Sequence, residues 1–205
     1  MSSASLIGFE YYIIFIYDYS RNTWIYFLRS KKSKEVFKRF QDFKAFMENQ
    51  AGRRILVLKS DNGGEYTSKQ FYEYCRQEGI QRQLRVPYTP QQNGVAERKN
   101  HAIVGATRAM LHDQSLPFFL WDEAYNTIVY VQNRITHHAL GCKTPEEMFT
   151  EKNPEIGHFC ICGCLTYSHV PSEKRIKLEA IVDKCIFMMR LQRHFAYTVL
   201  YRGKL

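Results

Sequence analysis

A chain of 205 residues has room for one full α/β domain and a small appendage. With 45% apolar and 15% aromatic residues, wholesale disorder is excluded, and no apolar run approaches the roughly 20 residues that cross a bilayer. The net charge of +9 suits a polyanionic partner and a merely basic soluble protein equally well, while six Cys without a visible signal peptide fit a reducing compartment.

Residues 9–17, FEYYIIFIY, are β-branched and aromatic almost throughout, the pattern of a strand buried on both faces. DYSRN turns the chain and TWIYFLRS returns as the second strand of a hairpin. Across residues 31–49, Val36, Phe40, Phe43 and Met47 recur at helical spacing, with Lys and Glu on the other face and Gly52 as the stop. Residues 54–61, RILVLKSD, form a short strand that ends at an acid, followed by Gly63 and Gly64 for a tight turn.

A second helix is predicted over residues 68–79 with Phe71, Tyr74 and Cys75 on one face, then a strand QRQLRVP and the loop PYTPQQNG. A third helix runs over residues 95–112. Its apolar side is predicted to be Ile103, Ala106 and Met110, and Glu97, His101 and Arg108 fall on another side. The order β-β-α-β-α-β-loop-α is that of an α/β domain with a mixed sheet. Residues 116–134 read as one buried helix, and KTPEEMFTEKNP starts another with Thr as N-cap and Pro in the first position. From His158 the pattern changes to short strands, and Cys160, Cys162 and Cys164 alternate as residues on one strand face would. Three units follow: a core over 1–115, a helical extension over 116–155 and a small β domain over 156–205.

Asp61 comes from a strand end and Glu97 from a helix start. Two such acids can converge on one divalent cation if the segment between them folds back. Mg²⁺ asks for one or two carboxylates and leaves positions open for substrate phosphates.

These stretches resemble the integrase core of Ty1/copia-type LTR retrotransposons, found within Pol polyproteins. KSDNGGEYTS is similar to that family's second-acid motif, PYTPQQNGVAERKN to its third-acid motif and loop, and YDYSRNTWIYFLRSK to its hairpin. FFLWDEAYNTIVYVQNR, KTPEEMFTEKNP and HFCICGCLTYSHVP resemble the helical extension and SH3-like β domain that follow the core. The resemblance implies an RNase H-like fold and DNA integration by polynucleotidyl transfer, with 3′-end processing and strand transfer on Mg²⁺ or Mn²⁺. It carries Asp61 over as the second acid and Glu97 as the third, both catalytic and metal-binding. It also implies DNA contacts by Arg98, Lys99 and Arg108, and by Tyr88, Gln91, Gln92 and Asn93 of the loop. A solvated helix face accounts for Arg108 equally well. Element ends and target DNA would be the partners, with homo-oligomerisation, no membrane and no small-molecule cofactor; localisation would be nuclear or cytoplasmic.

The family's first acid belongs to a strand ahead of the hairpin, in a stretch like D-x-x-G-P, and MSSASLI has no acid. The form is therefore expected to be truncated at its N-terminus and inactive, and the alternative is a non-catalytic nucleic-acid-binding or dimerising remnant of a transposable element. Asp18 is read as a hairpin-turn residue that bonds nearby backbone rather than as a substitute acid. The Cys-x-Cys-x-Cys run does not replace the family's zinc segment, since no second ligand pair follows it.

Overall fold

The computed structural model describes residues 3–61, 63–66, 68–84, 94–177, 180–192 and 195–201, with backbone alone at 174, 188–192 and 195–201. The aromatic hairpin forms as expected: β1 (Tyr11–Ile16) pairs antiparallel with β2 (Thr23–Leu28), Tyr11 opposite Leu28 and Ile16 opposite Thr23. Because side chains alternate along a strand, β1 feeds two cores. Ile13 and Phe15 enter one with Tyr11 at its margin, while Tyr12 and Ile14 pack on the other.

The first core is closed by α1 (Ser33–Ala51), whose Val36, Phe40, Phe43 and Met47 are all buried as their spacing predicts. Phe15 stacks on Phe43 with centroids 4.3 Å apart, and Phe40 stacks on Phe71 of α2 (Lys69–Gln77) at 5.1 Å. α1 ends at Gly52, which takes φ +60 and donates its N–H to the Glu48 carbonyl. That left-handed cap is one that a residue without Cβ adopts at little cost.

β3 (Val57–Ser60) and β4 (Gln81–Leu84) pair in parallel, and α3 (Gly94–Asp113) follows. Among the described residues these two strands form a sheet separate from the hairpin. The predicted strand over 81–87 is described only as far as Leu84. The buried residues of α3 are Ile103, Thr107 and Leu111, whereas Ala106 and Met110 are half-buried. The inward stripe is thus turned by about one residue from the one predicted, because Thr107, polar in the sequence, is buried.

Residues 116–134 do not make one helix. Pro117 leads a 3₁₀ turn, Phe118–Leu120, and only then does α4 (Trp121–Arg134) begin. Leu120, Trp121, Ala124, Tyr125 and Val129 form the centre of the second core with Phe27, Ile103 and Leu111. α5 (Pro145–Thr150) starts as predicted: Thr144 Oγ1 accepts the Glu147 N–H at 3.1 Å, with Pro145 in the first position. A three-stranded antiparallel sheet closes the chain, β5 (Leu165–His169), β6 (Val182–Gln192) and β7 (Phe195–Tyr201).

Cys160, Cys162 and Cys164 are not on one strand face. They lie in the turns that precede β5, exposed, buried and half-buried in that order. Gly163 between them has φ +90, and a Cβ there would stand 2.7 Å from Gln114 Cβ, so the chain turns where period-two spacing continued it as a strand. Cys162 and Ile186 reach into the core around α4, so the C-terminal sheet shares apolar packing with the helices before it.

Lys44 on α1 is 8% exposed and is the cation of a small network. Its ammonium lies 2.7 Å from Glu48 and 3.0 Å from Glu78, and Glu48 also accepts the Ile55 N–H at 2.8 Å. Burial works against both charges, yet the mutual hydrogen bonds hold the Glu48 carboxyl below its usual range and the Lys44 ammonium above its own. A carboxylate with a depressed folded pKa stabilises above its unfolded value and loses that contribution as pH falls through the folded one. Stability from Glu48 is therefore expected to be complete at pH 6 and to fade below about pH 4.5. Lys44→Ala, which leaves two carboxylates without their cation, is expected to cost about 2 kcal/mol in urea denaturation at pH 7. The cost should shrink when the measurement is repeated near pH 3, where the carboxylates bind protons.

Candidate active site

The parallel pair places the first acid. Leu58 stands opposite Arg82 and Ser60 opposite Leu84, and Asp61 follows at the strand end, exposed. Asp61 Oδ1 accepts the Gly63 N–H at 3.2 Å, a short turn that fixes the carboxylate over the backbone. Glu65 curls back over the same glycine. A Cβ on Gly63 would lie 3.1 Å from Asp61 Oδ1 and 2.9 Å from Glu65 Oε2, so only a residue with no side chain lets the two carboxylates approach from either side. Tyr66 forms the floor, its ring edge-on to Phe71 at 6.1 Å and its N–H bonded to the Gly63 carbonyl. Burial first, then the Asp61 and Glu65 charges, push the Tyr66 phenol well above its ordinary range. Ser68 caps α2, its hydroxyl accepting the Phe71 N–H.

α3 carries the second acid. Glu97 is exposed in the first turn, where negative charge is favoured by the helix dipole. Arg98 folds back so that its Nη1 stands 3.0 Å from where a Gly94 Cβ would be. Lys99 is half-buried, and burial lowers its ammonium to about 8. Asn100 points at the hairpin, accepting a hydrogen bond from the Tyr12 hydroxyl at 2.6 Å. His101 and Arg108 are exposed further along the helix, and the Arg108 charge acts on the buried Tyr125 phenol.

The structure thus sets Arg98 and Arg108 on the exposed surface of the acid-bearing helix and draws Lys99 partly inward. Tyr88, Gln91, Gln92 and Asn93 fall outside the described residues. Among the described residues no three of His, Cys, Asp and Glu are grouped closely enough to hold a metal ion. Asp61, Glu65 and Glu97 are therefore not a ready three-ligand cluster.

Asp18 behaves as the turn residue expected of it. It is ion-paired with Arg21, whose φ of +59 belongs to the same turn, and it accepts a bond from Lys59 Nζ at 3.1 Å. The Lys59 hydrogen bond, supported by both cations against some burial, holds its carboxyl below the usual range. Glu65 is the acid that the sequence reading passed over. The available signal was the Gly-Gly pair, which returns the chain so that an acid four residues after Asp61 can face it.

Residues 5–90 match the model of the integrase core domain family. The chain is 43% identical over 197 residues, 96% of its length, to the Retrovirus-related Pol polyprotein from transposon TNT 1-94 of Nicotiana tabacum. It is 33% identical over 96% of its length to that from transposon RE2 of Arabidopsis thaliana. It spans 15% and 13% of those two proteins. Among solved structures it resembles the HTLV-2 integrase catalytic core domain in complex with magnesium, with a TM-score of 0.51, 21% identity, and coverage of 66% of this chain and 82% of that one. It also resembles a chain of the simian T-cell lymphotropic virus intasome in complex with PP2A regulatory subunit B56 gamma. There the TM-score is 0.57 and the identity 17%, covering 95% of this chain and 72% of that one. The fold is that of these catalytic cores, the RNase H-like class. Among the described residues no helix is long and apolar enough to cross a membrane.

Proposed function

This chain belongs to the integrase core domain family as it occurs in Ty1/copia-type Pol polyproteins, and from that membership we propose that it serves DNA integration by metal-dependent polynucleotidyl transfer. The observation that carries the reading is the placement of Asp61 just past β3 and Glu97 in the first turn of α3, on the two motifs that resemble the family's second and third acids.

The residues present fit a hard divalent cation. The donor set is carboxylate oxygen, Asp61 and Glu97 are exposed, and Gly63 leaves space that a Cβ would fill. Mg²⁺ or Mn²⁺, when bound, supplies charge neutralisation at the phosphate and activation of the attacking oxygen. Asp61 and Glu97 would hold the cation, Asp61 oriented by the Gly63 N–H. Arg98 and Arg108 offer guanidinium groups to backbone phosphates along the same helix, contacts that position DNA without reading its sequence. Tyr12 holds the helix turn that carries Glu97 through its bond to Asn100. Element-end DNA, target DNA and further copies of the chain are the partners proposed.

A second reading, a nucleic-acid-binding remnant without catalysis, is favoured by the lack of any three-ligand group among the described residues. One pair of measurements separates the two. Fluorescence titration with duplex DNA at two salt concentrations is expected to show binding that weakens as salt rises, since phosphate contacts release counterions. Strand transfer with Mg²⁺ on element-end duplex is then scored with and without Glu97→Gln. Joining that Glu97→Gln abolishes establishes the integrase reading; binding without joining establishes the remnant. An absence of binding even at low salt removes both.

A further inference from the structure

We propose that Glu65 is a ligand of the divalent cation beside Asp61, so that the strand-end pole of the site is a carboxylate pair rather than a single acid. The inference rests on the metal-dependent reading above and deepens it. Its ground is the geometry over Gly63. Asp61 Oδ1 and Glu65 Oε2 approach one point from two sides, 3.1 and 2.9 Å from it, and that point is free because the residue between them is glycine. The Asp61 carboxylate is held in this bearing by the Gly63 N–H, and the Tyr66 N–H on the Gly63 carbonyl closes the turn beneath.

Two like charges brought together in this way repel, and among the described residues neither carboxylate has an ion-pair partner to offset it. Elsewhere the chain treats its buried or crowded acids otherwise: Glu48 has Lys44, Asp18 has Arg21 and Lys59, and Glu146 has Arg134. A cation of two charges is the group that converts the repulsion at Gly63 into attraction. Mg²⁺ takes one or two carboxylates, with oxygens at about 2.0–2.1 Å, and completes its shell with water and substrate phosphate. Two protein ligands are what the turn offers, in keeping with the absence of a three-ligand group. Room for the rest of the shell lies alongside. Glu65 and Tyr66 line an open cleft of about 270 Å³ that runs to Tyr11 and Tyr12 of β1, with Lys31 on its rim to meet a phosphate.

The test is Mn²⁺ binding by the full chain, followed by the electron paramagnetic resonance signal of the free ion and independent of any DNA chemistry. Glu65→Gln is expected to raise the Mn²⁺ Kd about tenfold or more, comparable with the loss from Asp61→Asn. Gly63→Ala, whose Cβ would press on both carboxylates, is expected to weaken Mn²⁺ in the same direction. Glu73→Gln on α2, an exposed acid paired with Lys69, is expected to leave the Kd unchanged. Glu65 and Gly63 side chains lie at a surface turn, and circular dichroism of each variant confirms that the fold is retained. If Asp61→Asn weakens Mn²⁺ while Glu65→Gln does not, the role of Glu65 is overturned and the proposed function stands. If neither Asp61→Asn nor Glu97→Gln alters Mn²⁺ binding, or the chain shows no saturable binding, the metal-dependent reading itself is overturned together with this one.

Discussion

Phe40→Ala is expected to destabilise the chain by about 4 kcal/mol and to lower its melting temperature by about 10 °C. Phe40 is 1% exposed and stands where three elements meet. Its ring stacks on Phe71 of α2, lies 6.1 Å from Phe15 of β1 and meets Tyr74 edge-on at 6.4 Å. Truncation removes the transfer term of a whole aromatic side chain and leaves a cavity bounded by rigid rings that cannot collapse into it. Phe40→Leu keeps most of the volume and is expected to lose about half as much. Thermal denaturation followed by circular dichroism reads both variants. A loss for Phe40→Ala of less than about 1 kcal/mol would show that this core is looser than the ring contacts imply.

Asn133→Ala is expected to cost about 3 kcal/mol through hydrogen bonding rather than packing. The Asn133 side chain acts toward β2 as a neighbouring strand would. Its Oδ1 accepts the Thr23 N–H at 3.0 Å and its Nδ2 donates to the Thr23 carbonyl at 2.8 Å. Thr23 is 1% exposed and Asn133 7%, so water cannot take over either bond. Removing the amide leaves a buried donor and a buried acceptor unpaired, and each carries its own desolvation cost. Asn133→Asp keeps the acceptor but sets a carboxylate against the Thr23 carbonyl, and it is expected to be at least as damaging at pH 7. Urea denaturation compares the three proteins. If Asn133→Ala stays within 0.5 kcal/mol of the parent, the amide does not join α4 to the hairpin.

What could be read from the sequence, and what could not, divides along the range of the forces involved. α1 was legible because its stripe Val36, Phe40, Phe43 and Met47 faces one core and Gly52 supplies a local stop. The hairpin and the Thr144 cap were legible for the same reason: their determinants lie within a few residues of each other. The inward face of α3 was misread because Thr107 is buried by neighbours distant in sequence, and hydroxyls count as polar in any pattern. The turn through Cys160, Cys162 and Cys164 was taken for a strand because the close approach of Gly163 to Gln114 is a tertiary contact. Asn133 gave no signal, since its partner stands 110 residues away.

The site shows the same division. Asp61 and Glu97 were found through the motifs that hold them. Glu65 became visible only when the turn at Gly63 was seen to aim it back along the chain. The inward turn of Lys99 is likewise a property of helix rotation against the hairpin, which residue type does not reveal.

The bond from Tyr12 to Asn100 has a consequence for how the site tolerates change. Asn100 comes three residues after Glu97, less than one helical turn away, so the phenol on the hairpin pins the azimuth of α3 near its acid. Asp61 takes its bearing from a different sheet, the β3–β4 pair. The gap between the two acids is therefore set by the docking of one body on another, not by either alone. It works as the jaw of a caliper does, where a small error at the pivot is magnified at the tip. Substitutions in the hairpin, far from any metal ligand, can detune the site while leaving every ligand in place.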